Sequence, residues 1–515
     1  MRQALVIGAG LGGLGTGIHL ARQGWDVTIL ERNATPGGRM NRIEEEGFQI
    51  DTGPTLLMMP EVIEQIFTSC GRKVEDYIPI RRLDPSYEIR FGDGTRLDMG
   101  RAEEMQERFA QFNQRDAERL PALLRDMHKK YVTGRYKFID RPFNHIGDLL
   151  HPSTMGGLAQ ALPLESCWRY VSRYCDDPRL RQALTFQTLY LGTSPMDCPS
   201  IYGFLPYVEM EFGVWFPVGG MYAVAAGLAR LFQELGGKLE CGVGVREIQV
   251  RNGTAEGVCT DDGRCLKADA VISNCDVQTT YTQLIDAAHR PSNTDRRMWK
   301  HDSGCSGFLL YLGVRRLPPG WKHHTLILPE DYTGVMDDMF HKRCLPREPA
   351  LYACVPTCSD PSLAPEGHHI LYVLAPVPNL DAHVDWQGAA PEFRDRCIRA
   401  LVAAGWDGLE DDIVLERRWT PHDFMTKYGL FRGSAFGLSC TFWQSAYFRP
   451  HNRSEDIRNL YLVGASTHPG GGVPIVLTSA KLVAEAVEAD ARKRARKPRF
   501  RPQAPRLEEM APGAE

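Results

Sequence analysis

The sequence predicts an α/β fold with a parallel sheet covered by helices on both faces. Three observations support this: a strand, glycine loop and helix at residues 4–22, a second strand ending at Glu31, and the return of the pattern at residues 219–274 and 460–489. Strands buried on both faces appear as short apolar runs, and their alternation with helices is typical of doubly wound sheets.

The first forty residues carry a dinucleotide-binding fingerprint. Gly8, Gly10 and Gly13 follow the apolar strand at residues 4–7 with the spacing G-x-G-x-x-G. These glycines allow a tight turn, close approach of a diphosphate and helix-on-strand packing, and the helix N-terminus attracts the anion. Glu31 lies where a ribose hydroxyl is bound.

The next glycine turn favours FAD over NAD as the dinucleotide. Arg39 follows Gly38 directly behind the ribose-binding acid, so its cation can reach the diphosphate from the other side. Gly53 and Pro54 in the sequence DTGPT suit a bend that lets backbone approach a ring.

The nucleotide-binding domain is predicted to be discontinuous. We assign residues 1–95, 213–290 and 445–490 to a Rossmann-type FAD-binding domain, with a helical region and a substrate domain inserted between these segments. Val245 begins a strand and is positioned either to touch the adenine edge or to serve as a plain core residue. The inserted parts are residues 96–212 (helical region) and 291–444 (substrate domain).

Local patterns define two elements outside the fingerprint. Asp93-Gly94 is a strong turn pair and predicts a hairpin at residues 87–97. Apolar residues at helical spacing predict a helix from Asn113, capped by Asn113 and Asp116 and kinked at Pro121.

Composition excludes several classes of function. A net charge of −4 and a pI near 6.4 predict no general affinity for nucleic acid. Fourteen cysteines without metal-ligand spacing, and no secretory leader, indicate reduced thiols, no metal site and a cytoplasmic protein. No apolar run is long enough to span a bilayer. Residues 491–515 are predicted to be a disordered basic tail that either solubilises the protein or is attracted to anionic lipids.

Nine sequence motifs carry a resemblance to a known family. They are GAGLGGL with Glu31 and PGGR, DTGPT, GVWFPVGG, SNCDV, LAPEG, YVLAPVP, GSAF, SAYFRPHNR and YLVGASTHPGGGVP. The chain resembles the bacterial-type phytoene desaturases, FAD-dependent carotenoid desaturases with an amine-oxidase-like fold. Taken with the glycine loops, the resemblance implies FAD contacts at Gly8, Ala9, Gly10, Gly12, Gly13, Glu31, Arg32, Gly38, Arg39, Gly53, Pro54, Thr55, Val245, Gly464, Ala465 and Val473.

The last motif departs from the common family pattern. Ser466, Gly471 and Ile475 resemble the branch that acts on thirty-carbon chains, the diapophytoene desaturases and related oxygenases, so substrate length stays open. The FAD is expected to bind non-covalently, since His468 and Cys275 lie in no recognisable attachment motif.

The resemblance implies removal of hydrogens from an apolar isoprenoid polyene, with FAD taking the hydride. A hydrocarbon substrate needs a long apolar tunnel, for which six aromatic residues are candidate walls, and a proton acceptor, for which Asp148 is the candidate. Because polyenes partition into lipid, we expect peripheral contact with a membrane surface. Alternatives are a carotenoid oxygenase acting on terminal methyl groups, an amine or protoporphyrinogen-type oxidase, and a non-catalytic escort protein. The wall candidates are Tyr190, Phe204, Trp215, Phe216, Phe436 and Trp443.

Overall fold

A five-stranded sheet, parallel throughout, carries the glycine loop. The computed structural model describes residues 1–143, 145, 147–148, 155–157 and 165–496. The predicted strands of the nucleotide-binding domain form within a residue or two of the expected positions. Across the sheet the order is β19 (Leu460–Leu462), β13 (Ala270–Ser273), β1 (Gln3–Ile7), β2 (Asp26–Glu31) and β9 (Lys238–Cys241).

Both faces of this sheet are buried, as its continuous apolar strands predict. Along β1, Ala4 and Val6 pack into one core cluster, whereas Leu5 and Ile7 pack into another on the opposite face. Successive side chains of a strand point to opposite faces, so both sides are covered. The helices of the first cluster are α1 (Leu11–Arg22), α2 (Glu61–Ser69), α8 (Tyr222–Glu234) and α15 (Val473–Arg496), and those of the second are α9 (Val277–Leu284) and α10 (Asp295–Lys300).

An antiparallel meander packs on the second face. Its strands are β10 (Val245–Arg251), β11 (Thr254–Thr260) and β12 (Cys265–Lys267), and the pairs Asn252-Gly253 and Asp262-Gly263 lie in its turns. The expectation of wholly reduced thiols is wrong here, because Cys259 and Cys265 form a disulfide. The register explains the pairing, since these residues lie directly opposite each other on neighbouring strands.

A mixed seven-stranded sheet forms the second layer of the molecule. The predicted hairpin at residues 87–97 is confirmed, and its first strand pairs with this sheet. The expected domain boundary at residue 95 therefore falls in the hairpin turn. In order the strands are β18 (Ile413–Trp419), β14 (Ser306–Val314), β17 (His369–Val377), β16 (Leu351–Cys354), β15 (His324–Leu328), β6 (Tyr87–Phe91) and β7 (Arg96–Met99); the nearby helices are α11 (Tyr332–Phe340), α12 (Trp386–Ala403), α13 (Leu409–Asp412) and α14 (Pro421–Tyr428).

The region after this hairpin is helical, as predicted. Asn113 caps α4 by accepting hydrogen bonds from the N–H groups of Arg115 and Asp116. Asp116 is not a cap, because its buried carboxylate accepts from the backbone of residues 176 and 177. The helix passes through Pro121 without interruption. The elements are α3 (Ala102–Ala110), α4 (Gln114–Gly134), a π-helical segment (Arg135–Ile139), α5 (Cys167–Val171), α6 (Pro178–Ala183) and α7 (Leu205–Phe212).

Two short ribbons join the layers. β3 (Arg42–Glu45) pairs with β4 (Phe48–Asp51), and β5 (Ile80–Arg82) pairs with β8 (Trp215–Pro217).

The last helix is longer than predicted. The predicted strand-and-helix pattern ends at residue 489, but α15 continues to Arg496, so the first residues of the expected disordered tail are helical. Residues 497–515, the rest of that tail, lie outside the described residues. Among the helices that the structure describes, none is both long and apolar enough to cross a membrane.

Candidate functional site

The turn between β1 and α1 lets a ligand approach the backbone closely. Gly8 has a φ of +91°, a region that glycine adopts without strain. A Cβ on Gly13 would lie 2.1 Å from the carbonyl oxygen of Gly8, so only glycine permits this helix-on-strand packing. No side chain caps α1 at Gly10, and Gly10, Leu11 and Gly12 line a large cavity. The N–H groups and positive dipole end of α1 suit a diphosphate.

Glu31, the last residue of β2, lies beside this turn. Its carboxylate is almost fully buried; Oε2 accepts from the N–H of Ala9 at 2.8 Å and Oε1 from that of Asn33 at 2.9 Å. These bonds hold the acid at the carboxyl end of the sheet, where dinucleotide folds bind the ribose. Val245 lines the same cavity, and its contact with the adenine stays a prediction.

Arg39 supplies a cation on the other side of the turn. A Cβ on Gly38 would lie 3.3 Å from the Cα of Gly10, so the two glycine turns touch. Arg39 Nη2 pairs with Asp276 Oδ1 at 3.2 Å, whereas Arg39 Nε is buried and has no partner. A buried guanidinium donor without a partner, next to an uncapped helix N-terminus, fits an anionic diphosphate.

The glycine-rich segment after β19 closes the site. The buried guanidinium of Arg449 donates to the carbonyl oxygens of Ala465, at 2.6 Å, and Thr467, at 3.0 Å. Ser466 Oγ accepts from the N–H of Val277 at 2.9 Å and so joins this segment to the start of α9. Sequence reasoning gave Arg449 no role, although it lies in the motif SAYFRPHNR.

The DTGPT segment fastens the site to the next βα unit. The buried carboxylate of Asp51 accepts from the N–H groups of Met221, at 2.6 Å, and Tyr222, at 2.9 Å, and burial raises its pKa to about 6. A Cβ on Gly53 would lie 1.9 Å from the carbonyl oxygen of Arg39, so glycine is required for the two segments to meet.

The glycine turn at residues 8–13, Glu31, Arg39 and the segment from Gly464 form a polar site that we call the cradle. One continuous cavity of about 810 Å³ joins this cradle to an apolar chamber. Of the predicted cofactor residues, all except Ala9 and Gly13 line it; those two support the turn from behind. Sequence reasoning missed Asn274, Cys275 and Asp276 in the cradle. Their position directly after β13, at the carboxyl end of a parallel strand, is the signal that would have identified them.

The chamber is walled by side chains from the helical region and the seven-stranded sheet. Of the six predicted aromatic walls, Tyr190, Phe204, Phe436 and Trp443 line it. The prediction is wrong for Trp215 and Phe216, because β8 directs them elsewhere: Trp215 packs on the nucleotide-domain core, and Phe216 packs edge-on to His323. Further lining residues include Met58, Met59, Val62, Tyr131, Phe138, Phe186, Leu189, Ile201, Tyr202, Leu205, Leu328 and Tyr352.

Few ionisable side chains enter this chamber. In the part of the chain that the structure describes, those lining it away from the cradle include Arg135, Asp140 and His468. Burial raises the pKa of Asp140, against the opposing effects of Arg135 and Lys481. Burial lowers the pKa of His468 to about 4, so this ring is neutral and donates its Nε2–H to the carbonyl oxygen of Arg141.

The structure does not bring Asp148 into the chamber. Its carboxylate accepts from the backbone N–H of His145 at 2.9 Å in a local turn, and it is absent from the cavity lining. The physical reason is proximity along the chain, since an aspartate three residues after a turn readily accepts from the turn backbone. Among the described residues, Asp140, at the end of the π-helical segment, is a carboxylate that lines the cavity away from Glu31 and Asp276.

A buried carboxyl, that of Glu209, lies behind the wall. Glu209 Oε2 accepts from the hydroxyl of Tyr87 at 2.6 Å and from Gln187 Nε2 at 3.0 Å. Burial raises the pKa of Glu209 to about 7, and its neighbour Tyr190 faces the chamber.

Comparison with known proteins identifies the family. The model of flavin containing amine oxidoreductases matches residues 11–488. The zeta-carotene-forming phytoene desaturase of Myxococcus xanthus is 40% identical over 488 residues, which cover 94% of this chain and 93% of that protein. The chain belongs to the phytoene desaturase family of flavin-containing amine oxidoreductases.

Further comparisons agree with this membership. The 4,4'-diapophytoene desaturase of Staphylococcus aureus strain Newman is 35% identical over 506 residues, covering 94% of this chain and 98% of that protein. An oxidoreductase from Methanosarcina mazei has the same fold, with a TM-score of 0.66 and 19% identity over 94% of this chain and 100% of that one. The amine-oxidase-like fold predicted from sequence is confirmed.

This family member is an FAD-dependent oxidoreductase, and its cradle fits the cofactor. Gly10, Glu31 and Arg39 would hold the diphosphate and ribose, and the segment from Gly464 lines the same cavity. An escort protein without chemistry would not need these groups to be intact.

Proposed function

We propose that this protein is an FAD-dependent desaturase of a phytoene-like polyene. The observation that carries the proposal is the continuity of the cavity, which joins a dinucleotide cradle to an apolar, aromatic-walled chamber without an intervening partition. A hydrocarbon offers no charge to bind, so shape and apolar contact have to position its C–H bonds.

The comparisons favour the longer polyene over the thirty-carbon one. The relative named for phytoene is 40% identical to this chain, and the one named for diapophytoene is 35% identical. Ser466, which suggested the thirty-carbon branch, accepts a hydrogen bond from the backbone N–H of Val277 and so has a structural role in the site.

The reaction forms one double bond by removing a hydride and a proton from neighbouring carbons. When bound, FAD accepts the hydride, and an external electron acceptor must reoxidise it. We assign the proton to Asp140, because in the described part of the chain it lines the cavity outside the cradle and its raised pKa makes it a stronger base than an ordinary aspartate. Arg135 Nε lies 3.8 Å from Asp140 Oδ2 and stabilises the ionised carboxylate of Asp140.

A membrane surface is the proposed source of the polyene. Trp443 lines the cavity and is nevertheless 71% exposed, in ring contact with Phe442 and Phe448. An exposed tryptophan at a cavity edge suits the interface between water and lipid, where such rings concentrate. Flotation with liposomes should weaken for Trp443→Ser and be unaffected by Trp299→Ser, a control whose exposed ring lies outside the cavity lining. Equal flotation of both variants and the parent protein would remove this assignment.

Expression in two pigment hosts tests the reaction. In a host that makes phytoene, we expect extracts whose absorption is shifted to longer wavelength, and a weaker shift in a host that makes diapophytoene. A shift confined to the second host would restore the thirty-carbon assignment. Products arising only in hosts that already contain conjugated carotenoids would favour the terminal-methyl oxygenase and contradict desaturation.

A further inference from the structure

Three potential metal ligands meet at one end of the seven-stranded sheet. His324 begins β15 and lies directly opposite Cys354, the last residue of β16, in the antiparallel register. His323 immediately precedes β15. All three residues are buried, and one ligand atom from each lies within 4.8 Å of the other two.

In each of the two imidazole rings, one nitrogen has a hydrogen-bond partner and the other has none. Nδ1 of His323 contacts Ser359 Oγ at 2.7 Å, and Nδ1 of His324 contacts Tyr352 Oη at 2.7 Å. Nε2 of each ring is buried and has no hydrogen-bond partner. In metal sites, a histidine typically binds the ion through one nitrogen while a second-shell group fixes the other, so both rings already have this arrangement.

The cluster lies in the interior of the protein. His323, His324 and Cys354 are all buried, and neither Nε2 atom has a hydrogen-bond partner. Two unpaired nitrogens in an apolar interior would be costly without a partner, which a cation would supply.

We propose that His323, His324 and Cys354 bind one Zn²⁺ ion. Two imidazoles and a thiolate are a preferred ligand set for zinc, and metal binding would release the thiol proton to solvent. Bond lengths of about 2.0–2.3 Å to zinc require the ligand atoms to move together by roughly 1 Å, within the reach of side-chain rotation. A water molecule would complete the tetrahedron.

This site is separate from the flavin cradle but adjoins the chamber wall. Tyr352 lines the chamber, and its hydroxyl contacts both His324 and Thr55 Oγ1, the latter at 2.6 Å. Zinc would therefore fix the ends of β15 and β16 and, through Tyr352, one wall of the chamber. Sequence analysis predicted no metal site, because the histidine pair and the cysteine are thirty residues apart and match no ligand spacing.

Metal analysis of full-length protein purified without an affinity tag tests the site. After incubation with zinc chloride and desalting, we expect about one zinc per chain. Titration of chelator-treated protein with Co²⁺ should give a thiolate-to-cobalt charge-transfer band that disappears in Cys354→Ala. Cys397→Ala removes another buried thiol, which belongs to no potential metal-ligand group among the described residues, and should keep both the band and the zinc.

Wild-type protein alone can overturn the proposal. Less than about a tenth of an equivalent of zinc, together with no cobalt band, would mean that the cluster binds no metal. Retention of the cobalt band in Cys354→Ala would place bound metal elsewhere. If Cys354→Ala does not fold, the wild-type titration still decides, and a melting temperature that falls with chelator and recovers with zinc but not magnesium would support the site.

Discussion

The flavin cradle and the apolar chamber share one cavity but are built in opposite ways. The cradle uses backbone at the ends of parallel strands, so residues near one another in sequence, such as Gly8 and Gly13, are in contact. The chamber brings together side chains from segments hundreds of residues apart, such as Met58 and Phe436. Binding a charged cofactor depends on a few irreplaceable atoms, whereas holding a hydrocarbon depends on shape alone.

The largest loss of flavin and activity is expected when an added side chain blocks the cradle. In Gly10→Val, the first added carbon would lie 2.6 Å from Asn274 Nδ2, and the branched side chain would fill the approach to the diphosphate. We expect purified protein without flavin and without activity. Gly156→Val, at a site where no atom of the described residues lies within 4 Å of an added Cβ, should retain full flavin content. Normal flavin content in Gly10→Val would refute the cradle.

The next effect concerns the carboxyl behind the chamber wall. The folded state holds the proton of Glu209 up to about pH 7, whereas the unfolded chain releases it near 4.5, so the free energy of unfolding should fall as pH rises between these values. The loss is on the order of 3 kcal/mol for the shift in pKa. Urea unfolding of Glu209→Gln should lack this pH dependence. Parallel pH curves for the two proteins would show that Glu209 titrates normally.

Turnover of variants at Asp140 and Asp148 distinguishes the two candidate proton acceptors. Asp140→Asn removes the base and should lower turnover at least about 100-fold without loss of flavin. Asp148→Asn, which changes a carboxylate outside the cavity lining, should have little effect. Because burial raises the pKa of Asp140, turnover of the parent protein should fall as the pH drops through a value above that of an ordinary aspartate. The reverse pattern of the two variants would reinstate Asp148.

A larger side chain in the chamber should have the smallest effect on turnover, because many side chains together determine the shape of the chamber. Met58→Trp introduces an indole into the lining and should lower turnover of the polyene about tenfold, with flavin content unchanged. Met425→Trp, at an exposed position on α14, is the matched control. Equal turnover of both variants would indicate that the polyene binds elsewhere.

The same contrast explains how much could be predicted from the sequence. Gly8, Gly13, Glu31 and Arg39 were identified because a tight turn and a charged ligand restrict residue type at fixed spacing. Tyr190 and Phe204 were named correctly, but Trp215 was not, since a wall aromatic and a core aromatic satisfy the same burial preference.

The pairing of the two cysteines across neighbouring strands also could not be predicted from the sequence. Cys259 and Cys265 are six residues apart, yet only the strand register shows that they face each other. Asp140 and Asp148 are similar in sequence context, and only the π-helical segment before Asp140 reveals which one reaches the chamber.

We infer that the cradle and the chamber form one reaction site. Anaerobic mixing of the flavin-loaded protein with phytoene in liposomes tests it directly. We expect the absorbance of oxidised flavin to bleach as a more conjugated polyene appears, in equal molar amounts. Flavin that stays oxidised in the presence of phytoene and of diapophytoene, while remaining reducible by dithionite, would contradict the claim.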